Sequence, residues 1–319
     1  MIMITVALLL SLVLCLLFGV PYIDFLKKKT IGQYILDVAP EAHAKKAGTP
    51  TTGGVFIILA IIVSSLITLL MAEKTDNSAL IILTTLFFMA LAGFQDDYLK
   101  LKGHENRGMS PRGKLLRQIL IALIPTLYAM QMYGTVVILG SKSFDIGFLY
   151  PILAVFVITG ASNAYNLTDG LDGLAISVGI PAFIACGIIS FLGGHSVVAI
   201  VCASAVGASL GFLKYNKPKA QVFMGDTGSL ALGGLLGTLA ILGRCELLLA
   251  IFGGVFVAET LSVIIQVTSF KLTGKRVFKM SPIHHHFELS GHSEIRIVKE
   301  FTIISALLSA LAVLLYIIL

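Results

Sequence analysis

The stretch that organises the chain lies near its middle and reads Ala161-Ser162-Asn163-Ala164-Tyr165-Asn166-Leu167-Thr168-Asp169-Gly170-Leu171-Asp172-Gly173. It joins two apolar runs and carries amides, hydroxyls and two carboxylates. Asp169 and Asp172 are three residues apart, so they would share one face of a helix, while Gly170 and Gly173 allow a backbone or a ligand to come close. A polar cap between two buried helices also fits, because Asn and Asp are common at helix ends. The polar stretch by itself therefore fits either a functional site or a helix cap.

The composition identifies the class of protein. Of the 319 residues, 57% are hydrophobic and 13% are charged, whereas a soluble domain has about 25% charged residues. A hydrocarbon core of about 30 Å needs about 20 apolar residues per helix, and runs of roughly that length recur along the chain. We predict an all-α polytopic membrane protein in which residues 1–319 form one integral membrane domain. The lipid bilayer is then a partner, and no nucleic acid is expected.

The apolar runs predict ten transmembrane helices. Their approximate bounds are Ile2 to Phe25, Gly53 to Ala72, Ser78 to Gln95, Leu115 to Tyr133, Phe148 to Tyr165, Leu174 to Leu192, Val197 to Leu213, Ser229 to Leu242, Leu247 to Phe270 and Phe301 to Leu319.

The distribution of positive charge orients these spans. Three lysines at 27–29 follow the first span, which places the N-terminus outside and the first loop in the cytoplasm. With ten spans, 20 of the 23 Lys and Arg residues fall in inward loops, and the three outward ones are Lys74, Lys142 and Arg244. We therefore predict that both the N- and the C-terminus lie outside. Residues 135–146 carry β-branched residues around Gly140, which predicts a short outward-facing β-hairpin.

Two acidic motifs lie at the inner ends of predicted spans. Asp96 and Asp97 are adjacent, and this is costly at a membrane surface because like charges repel and burial disfavours ionisation. A divalent cation or a cationic substrate group would relieve the cost, although a solvated helix end also fits. The second motif is Gly225-Asp226-Thr227-Gly228-Ser229, which places a carboxylate and hydroxyls at the start of a helix.

Two further inward loops carry cations and imidazoles. The first loop ends in His43-Ala44-Lys45-Lys46-Ala47-Gly48-Thr49-Pro50-Thr51-Thr52-Gly53-Gly54. This stretch suits an anion at a helix N-terminus and equally suits anionic lipid head groups. The last loop contains His284-His285-His286-Phe287-Glu288. Consecutive histidines point in different directions, so they are poorly placed to bind one metal, but they can donate hydrogen bonds to phosphates. Together the motifs predict a soluble phosphorylated substrate that meets a membrane-embedded one.

These motifs resemble those of the bacterial phospho-N-acetylmuramoyl-pentapeptide transferases, in the polyprenyl-phosphate N-acetylhexosamine-phosphate transferase superfamily. The resemblance covers nearly the whole chain and is carried by Lys46 to Gly54, Asp96-Asp97 with Lys100, Asn166 to Gly173, Asn216, Phe223 to Ser229 and His284 to Glu288. It implies a Mg²⁺-dependent enzyme of the bacterial cytoplasmic membrane whose active site faces the cytoplasm. The implied reaction transfers phospho-N-acetylmuramoyl-pentapeptide from its UDP carrier to undecaprenyl phosphate, releasing UMP and forming lipid I. The resemblance also implies a homodimer.

The resemblance further implies roles for individual residues. Asp226 is expected to bind Mg²⁺, and the expected catalytic residues are Asp96, Asp97, Asp226, His284 and His285. The expected substrate-binding residues are Lys46, Thr51, Lys100, Asn166, Asp169, Gly170, Leu171, Asp172, Asn216, Phe223 and His286.

Three other functions are alternatives to this expectation. A UDP-N-acetylglucosamine:polyprenyl-phosphate transferase belongs to the same superfamily, although the His-His-His-Phe-Glu form resembles the muramoyl-pentapeptide branch more closely. A secondary transporter has its site near the bilayer midplane among broken helices, whereas the acidic residues here lie at one surface. A membrane metalloprotease would need a His-Glu-x-x-His helix, which this sequence lacks.

Overall fold

The computed structural model describes residues 1–29, 48–103, 108–140 and 142–319. Its elements in chain order are α1 (Ile2–Lys28), α2 (Gly54–Met71), α3 (Asn77–Gly103), α4 (Pro111–Tyr133), β1 (Val136–Leu139), β2 (Lys142–Asp145), α5 (Leu149–Thr168), α6 (Leu174–Leu192), α7 (Ser196–Asn216), α8 (Gly225–Leu242), α9 (Leu249–Phe252), α10 (Gly254–Thr273), α11 (Ile283–Glu288) and α12 (Glu294–Ile318). Lys46 lies outside the described residues, so its predicted role stays a prediction.

The long helices form where the apolar runs predict them. Within the described residues, nine helices are long and apolar enough to cross a membrane, which supports a multi-pass membrane protein. The predicted span at 148–165 corresponds to α5, a helix of 20 residues that does not count among the nine. Its last two turns carry Asn163 and Asn166, and these amides lower the hydropathy of the helix.

The ninth predicted span is not one continuous helix. We expected an unbroken helix from Leu247 to Phe270, but the chain forms the single turn of α9 and then a separate helix, α10. The interruption falls at Gly253, the first of two consecutive glycines. Glycine loses more conformational freedom on folding than other residues and therefore weakens a helix interior. The helix is interrupted there.

Helix α8 is the centre of the fold. Every residue from Asp226 to Leu242 is buried, which is possible because small side chains let neighbouring helices approach closely. A Cβ at Gly233 would overlap the backbone carbonyl of Ala161 on α5. On another face of the helix, a Cβ at Gly228 would lie 2.8 Å from the Cα of Gly54 on α2. The close contacts fix the N-terminal end of α8 against its neighbours, and this end carries Asp226.

The β-hairpin and the candidate site lie at opposite ends of the molecule. Strands β1 and β2 pair antiparallel from Val136 opposite Asp145 to Leu139 opposite Lys142, and the turn at Gly140 touches Leu319. Helix α12 starts at the other end, where Glu294 accepts a hydrogen bond from the Asp172 backbone N–H at 2.6 Å. The helix therefore runs from the motif-bearing end to the hairpin end.

Candidate active site

Asp97 anchors the N-terminus of α8. Its carboxylate accepts hydrogen bonds from the backbone N–H of Asp226 at 3.0 Å, and from the backbone N–H and the hydroxyl of Thr227 at 2.9 Å and 2.6 Å. The side chain is buried. The first N–H groups of a helix have no partner within the helix and favour a negative charge. Asp97 therefore supplies from α3 the capping that α8 lacks in its own sequence.

Asp226 is the point where three other helices converge. Lys100 of α3 and Lys114 of α4 donate to its Oδ2 at 3.0 Å and 2.7 Å. Asn166 of α5 donates to its Oδ1 at 2.9 Å and also to the Ser229 hydroxyl at 2.8 Å. A Cβ at Gly93 would overlap the Asp226 carbonyl oxygen, so a glycine is needed for α3 to come this close.

Asp96 faces the other side of Lys100. The Lys100 ammonium lies 2.6 Å from Asp96 Oδ2, and the backbone N–H of Met109 donates to Asp96 Oδ1 at 2.7 Å. Asp96 and Asp226 thus share the Lys100 ammonium, which lies 3.0 Å from Asp226 Oδ2. Two carboxylates and two ammonium groups thus share one small volume at the end of the bundle, where cations offset the mutual repulsion of the acids.

The motif at 166–173 forms the turn between α5 and α6. Asp169 is partly buried, and burial, followed by the negative charges of Asp226, Asp97 and Asp172, raises the pKa of its carboxyl to about 8. Asp169 is therefore largely neutral at pH 7, and a neutral carboxyl can donate a hydrogen bond as well as accept one.

Asp172 and Asn216 fasten this turn to the loop that precedes α8. Asp172 accepts from the Ala220 N–H at 3.0 Å. The Asn216 side chain accepts from the Gly173 N–H at 3.2 Å and donates to the Val222 carbonyl at 3.0 Å. Both side chains are buried, as is Leu171. The contacts of Asp172 and Asn216 in this structure hold the loops together.

A short backbone pairing places Thr51 and Phe223 at the rim of the site. The Phe223 N–H donates to the Pro50 carbonyl at 2.7 Å, and its carbonyl accepts from the Gly53 N–H at 2.8 Å. Thr51 is buried, and its hydroxyl would lie 3.1 Å from a Cβ at Gly225. The described part of the predicted first-loop motif, Pro50 to Gly53, therefore lies beside the start of α8.

The histidines of α11 differ in exposure and in partners. His284 is fully buried, and its Nδ1 lies 3.0 Å from Glu259 Oε1. His285 Nδ1 lies 2.6 Å from Glu288 Oε2, and both side chains are partly exposed. His286 Nδ1 accepts from the Lys279 N–H at 3.2 Å.

The histidine helix touches the turn at 166–173. A Cβ at Gly170 would overlap the Nε2 atom of His284. Glycine at this position therefore allows α11 to lie directly against the Asp169–Gly170 turn, and two motifs separated by more than a hundred residues become neighbours.

The structure thus gathers most of the predicted site residues at one end of the helix bundle. It also shows two charged contacts that the sequence reasoning missed, Lys114 and Glu259. Lys114 gave no distinct signal, because it is one of several cations in its loop. Glu259 did give a sequence signal, because it is a lone carboxylate inside a predicted span. Such residues are rare and mark functional sites.

The comparisons with known proteins bear on this arrangement. The family model for glycosyl transferase family 4 matches residues 79–244, just over half of the chain. The chain belongs to glycosyl transferase family 4. The match starts at α3 and ends after α8, so it includes the acidic pair, Lys114, Asn166 and Asp226.

Curated relatives of this glycosyl transferase family 4 protein extend the similarity to nearly the full length. It is 46% identical over 295 residues to the phospho-N-acetylmuramoyl-pentapeptide-transferase of Bacillus licheniformis, covering 92% of this chain and 91% of that protein. The protein of the same name from Bacillus mycoides shows the same identity and coverage. The one from a Geobacillus species is 44% identical over 310 residues, covering 96% of each chain. The resemblance read from the motifs is confirmed.

Proposed function

We propose that this protein is a Mg²⁺-dependent phospho-N-acetylmuramoyl-pentapeptide transferase. It would transfer the phosphosugar from UDP-N-acetylmuramoyl-pentapeptide to undecaprenyl phosphate, release UMP and form lipid I for peptidoglycan synthesis. The observation that carries the proposal is the convergence of Lys100, Lys114 and Asn166 on Asp226. Cations and an amide donor around one carboxylate suit a diphosphate, and the names of the curated relatives point to the same reaction.

The proposed reaction is a direct phosphoryl transfer. An oxygen of the lipid phosphate attacks the phosphorus that bears the sugar, and the bond from this phosphorus to the bridging oxygen of UDP breaks, so that UMP leaves. A phosphate monoester has a second pKa of about 6 and already carries a nucleophilic oxygen at pH 7. Phosphoryl transfer depends mainly on position and on charge neutralisation, so no strong base is required.

The contacts of the acidic residues favour this one-step route over a covalent enzyme intermediate. The Asp97 carboxylate already accepts three hydrogen bonds from the start of α8, which lowers its nucleophilicity and keeps it in place. Asp226 is likewise held by two ammonium groups and an amide. Asp96, which binds Lys100 and the Met109 N–H, orients the ammonium toward the phosphates in this account.

The acidic residues fit a magnesium ion. Within the described residues no cluster of three or more His, Cys, Asp or Glu side chains could hold a metal ion. Mg²⁺, however, is usually bound by one or two carboxylates together with substrate phosphates and water. Asp226 and Asp96, which both contact Lys100, supply that number of carboxylates. When bound, Mg²⁺ would neutralise charge on the phosphate oxygens, and Lys100 and Lys114 would donate hydrogen bonds to the same oxygens.

The proposal includes an orientation in the membrane. The positive-inside rule places the site end, with its surrounding Lys and Arg residues, in the cytoplasm of a bacterium, and both termini and the β1–β2 hairpin outside. The soluble UDP-sugar would then reach the site from the cytoplasm, and the lipid phosphate from the inner leaflet. We also propose that the protein is a homodimer, as the resemblance implies.

A nucleotide-release assay on purified protein tests the proposed function. We expect UMP to form from UDP-N-acetylmuramoyl-pentapeptide only when both undecaprenyl phosphate and Mg²⁺ are present. If UMP forms from UDP-N-acetylglucosamine instead, the protein belongs to the other branch of the superfamily. If no UMP forms from either sugar nucleotide, the transferase proposal is wrong and a transporter becomes the better account.

A further inference from the structure

Helix α10 buries one narrow face, and Glu259 lies in the middle of it. The buried residues of this helix are Val255, Phe256, Glu259, Ser262 and Gln266, which recur at helical spacing. Phe256 stacks on Tyr165 of α5, with ring centroids 4.8 Å apart. At the other end of the face, the Gln266 side chain accepts from the N–H groups of Val277 and Phe278. Glu259 thus lies between two contacts that dock α10.

Glu259 and His284 form a fully buried pair. Neither side chain has exposed surface, and Oε1 of Glu259 lies 3.0 Å from Nδ1 of His284. An isolated buried carboxylate is costly, and a hydrogen-bonded partner reduces that cost. Oε2 of Glu259 and Nε2 of His284 have no hydrogen-bond partner in the described part of the chain. In this pair, one polar atom of each side chain is within hydrogen-bonding distance of the partner, and the other polar atom has no partner there.

The free nitrogen of His284 faces the candidate active site. Nε2 lies against Gly170, where a Cβ would overlap it, and Gly170 follows Asp169 in the turn between α5 and α6. The ring of His285 is adjacent, with its centroid 4.2 Å from that of His284. The orientation of the His284 ring therefore determines how α11 meets this turn.

We propose that Glu259 is a positioning residue that acts through His284, an inference that rests on the proposed function. By accepting the Nδ1–H, the carboxylate fixes the tautomer and the plane of the ring, as carboxylates do for functional histidines elsewhere. Nε2 is then presented to the Asp169–Gly170 turn of the sugar-nucleotide site. When Nε2 also carries a hydrogen, the charge of Glu259 offsets the positive charge of the ring while Nε2 donates to a phosphate oxygen.

Nitrogen NMR of histidine-labelled protein tests the pair directly and does not depend on activity. The chain has seven histidines, and the signal that disappears in His284→Gln identifies His284. In the wild type we expect a hydrogen on Nδ1. In Glu259→Met, which removes the acceptor but keeps an unbranched side chain, we expect the Nδ1–H signal to decrease and the other tautomer to grow. Unchanged His284 signals in Glu259→Met would overturn the proposal.

A double-mutant cycle tests whether the effect on turnover passes through His284. We expect Glu259→Met to lower kcat by about 10- to 100-fold, with KM within about threefold, as for other residues that orient a functional histidine. Glu259→Gln retains an acceptor oxygen and should be less impaired. In the His284→Gln background, Glu259→Met should lower kcat only a little further. A full additional loss in that background would show that Glu259 acts independently and would overturn the inference.

Glu300→Met is the matched control. Glu300 also lies near an imidazole, that of His292, at 3.9 Å, but the His292 and Glu300 side chains are 28% and 42% exposed rather than fully buried, so wild-type kinetics are expected. If the wild type itself releases no UMP, the proposed function fails, while the NMR result still decides whether Glu259 holds His284.

Discussion

Asp97 holds the backbone of Asp226, although 129 positions separate them in the chain: the Asp226 N–H donates to the Asp97 carboxylate at 3.0 Å. Asp226 in turn directs its side chain to Lys100, Lys114 and Asn166. The two carboxylates therefore have different roles. One fixes the start of α8, and the other faces the volume where the phosphates would bind.

Substitution of each carboxylate by its amide should separate these roles. Asp97→Asn places an amide NH₂ next to backbone donors, so we expect a loss of stability of about 1–3 kcal/mol together with a loss of activity. Asp226→Asn should nearly abolish turnover while the thermal midpoint changes little. Thermal unfolding in detergent and UMP release measure the two quantities. Asp24→Asn, at an exposed position on α1, is the control. Near wild-type turnover of Asp226→Asn would contradict the assignment.

Lys114 should matter as much as Lys100, although only Lys100 was expected from the sequence. Its ammonium lies 2.7 Å from Asp226, and a charge-assisted hydrogen bond to a phosphate contributes about 1.5–3 kcal/mol. Lys114→Met should therefore reduce kcat/KM for the UDP-sugar by roughly 10- to 100-fold. Lys102→Met, at an exposed position near the end of α3, should have no such effect. Equal kinetics for the two variants would remove Lys114 from the site.

The sequence predicted which motifs meet but not how they pair. Asp96, Asp97, Asn166 and Asp226 could be assigned to one end of the bundle, because the count of Lys and Arg residues fixes the phase of the spans. Their partners depend on close helix packing across more than a hundred residues, which periodicity does not encode. The two carboxylates at 96 and 97 therefore looked equivalent in the sequence. In the structure Asp97 accepts hydrogen bonds from the start of α8, whereas Asp96 pairs with Lys100.

The helix bounds show a similar limit. Several helices extend a turn or more beyond the apolar runs, and the extra turns carry Lys100, Lys114 and Asn216. A hydropathy pattern ends where the polar site residues begin, although the backbone stays helical. The break at Gly253 was missed for the opposite reason, because the sequence on both sides of it is apolar.

The carboxyl of Asp169 should give the reaction an alkaline limit. Its pKa is raised from 3.8 to about 8, so the group is neutral below pH 8 and gains a negative charge above it. That charge would lie near the bound diphosphate and repel it. We expect KM for the UDP-sugar to rise above about pH 8 in the wild type.

Asp169→Asn keeps the neutral form at every pH and supplies the comparison. The variant should remain active, and its KM should stay flat from pH 7 to 9. The decisive readout is the dependence of KM on pH in both proteins at a fixed Mg²⁺ concentration. An alkaline rise that persists in Asp169→Asn would assign the limit to another group.

Isotope exchange tests the one-step route. Delipidated enzyme is incubated with the UDP-sugar, Mg²⁺ and labelled UMP, and label entering the UDP-sugar is measured. Because no acidic residue forms a covalent intermediate in this account, we expect no exchange until the polyprenyl phosphate is added. Exchange in the absence of lipid would require such an intermediate and would rule out direct attack.

The central claim, that the Asp226 site joins a phosphosugar to a lipid phosphate, is tested most directly by the identity of the lipid product. Purified protein is given equal amounts of UDP-N-acetylmuramoyl-pentapeptide and UDP-N-acetylglucosamine, with undecaprenyl phosphate and Mg²⁺, and the lipid fraction is analysed by mass spectrometry. We expect a lipid-linked diphosphate that carries the muramoyl-pentapeptide, in the same molar amount as the UMP released, and almost none with Asp226→Asn. A lipid product that carries N-acetylglucosamine, or the same product yield from Asp226→Asn as from the wild type, would contradict it.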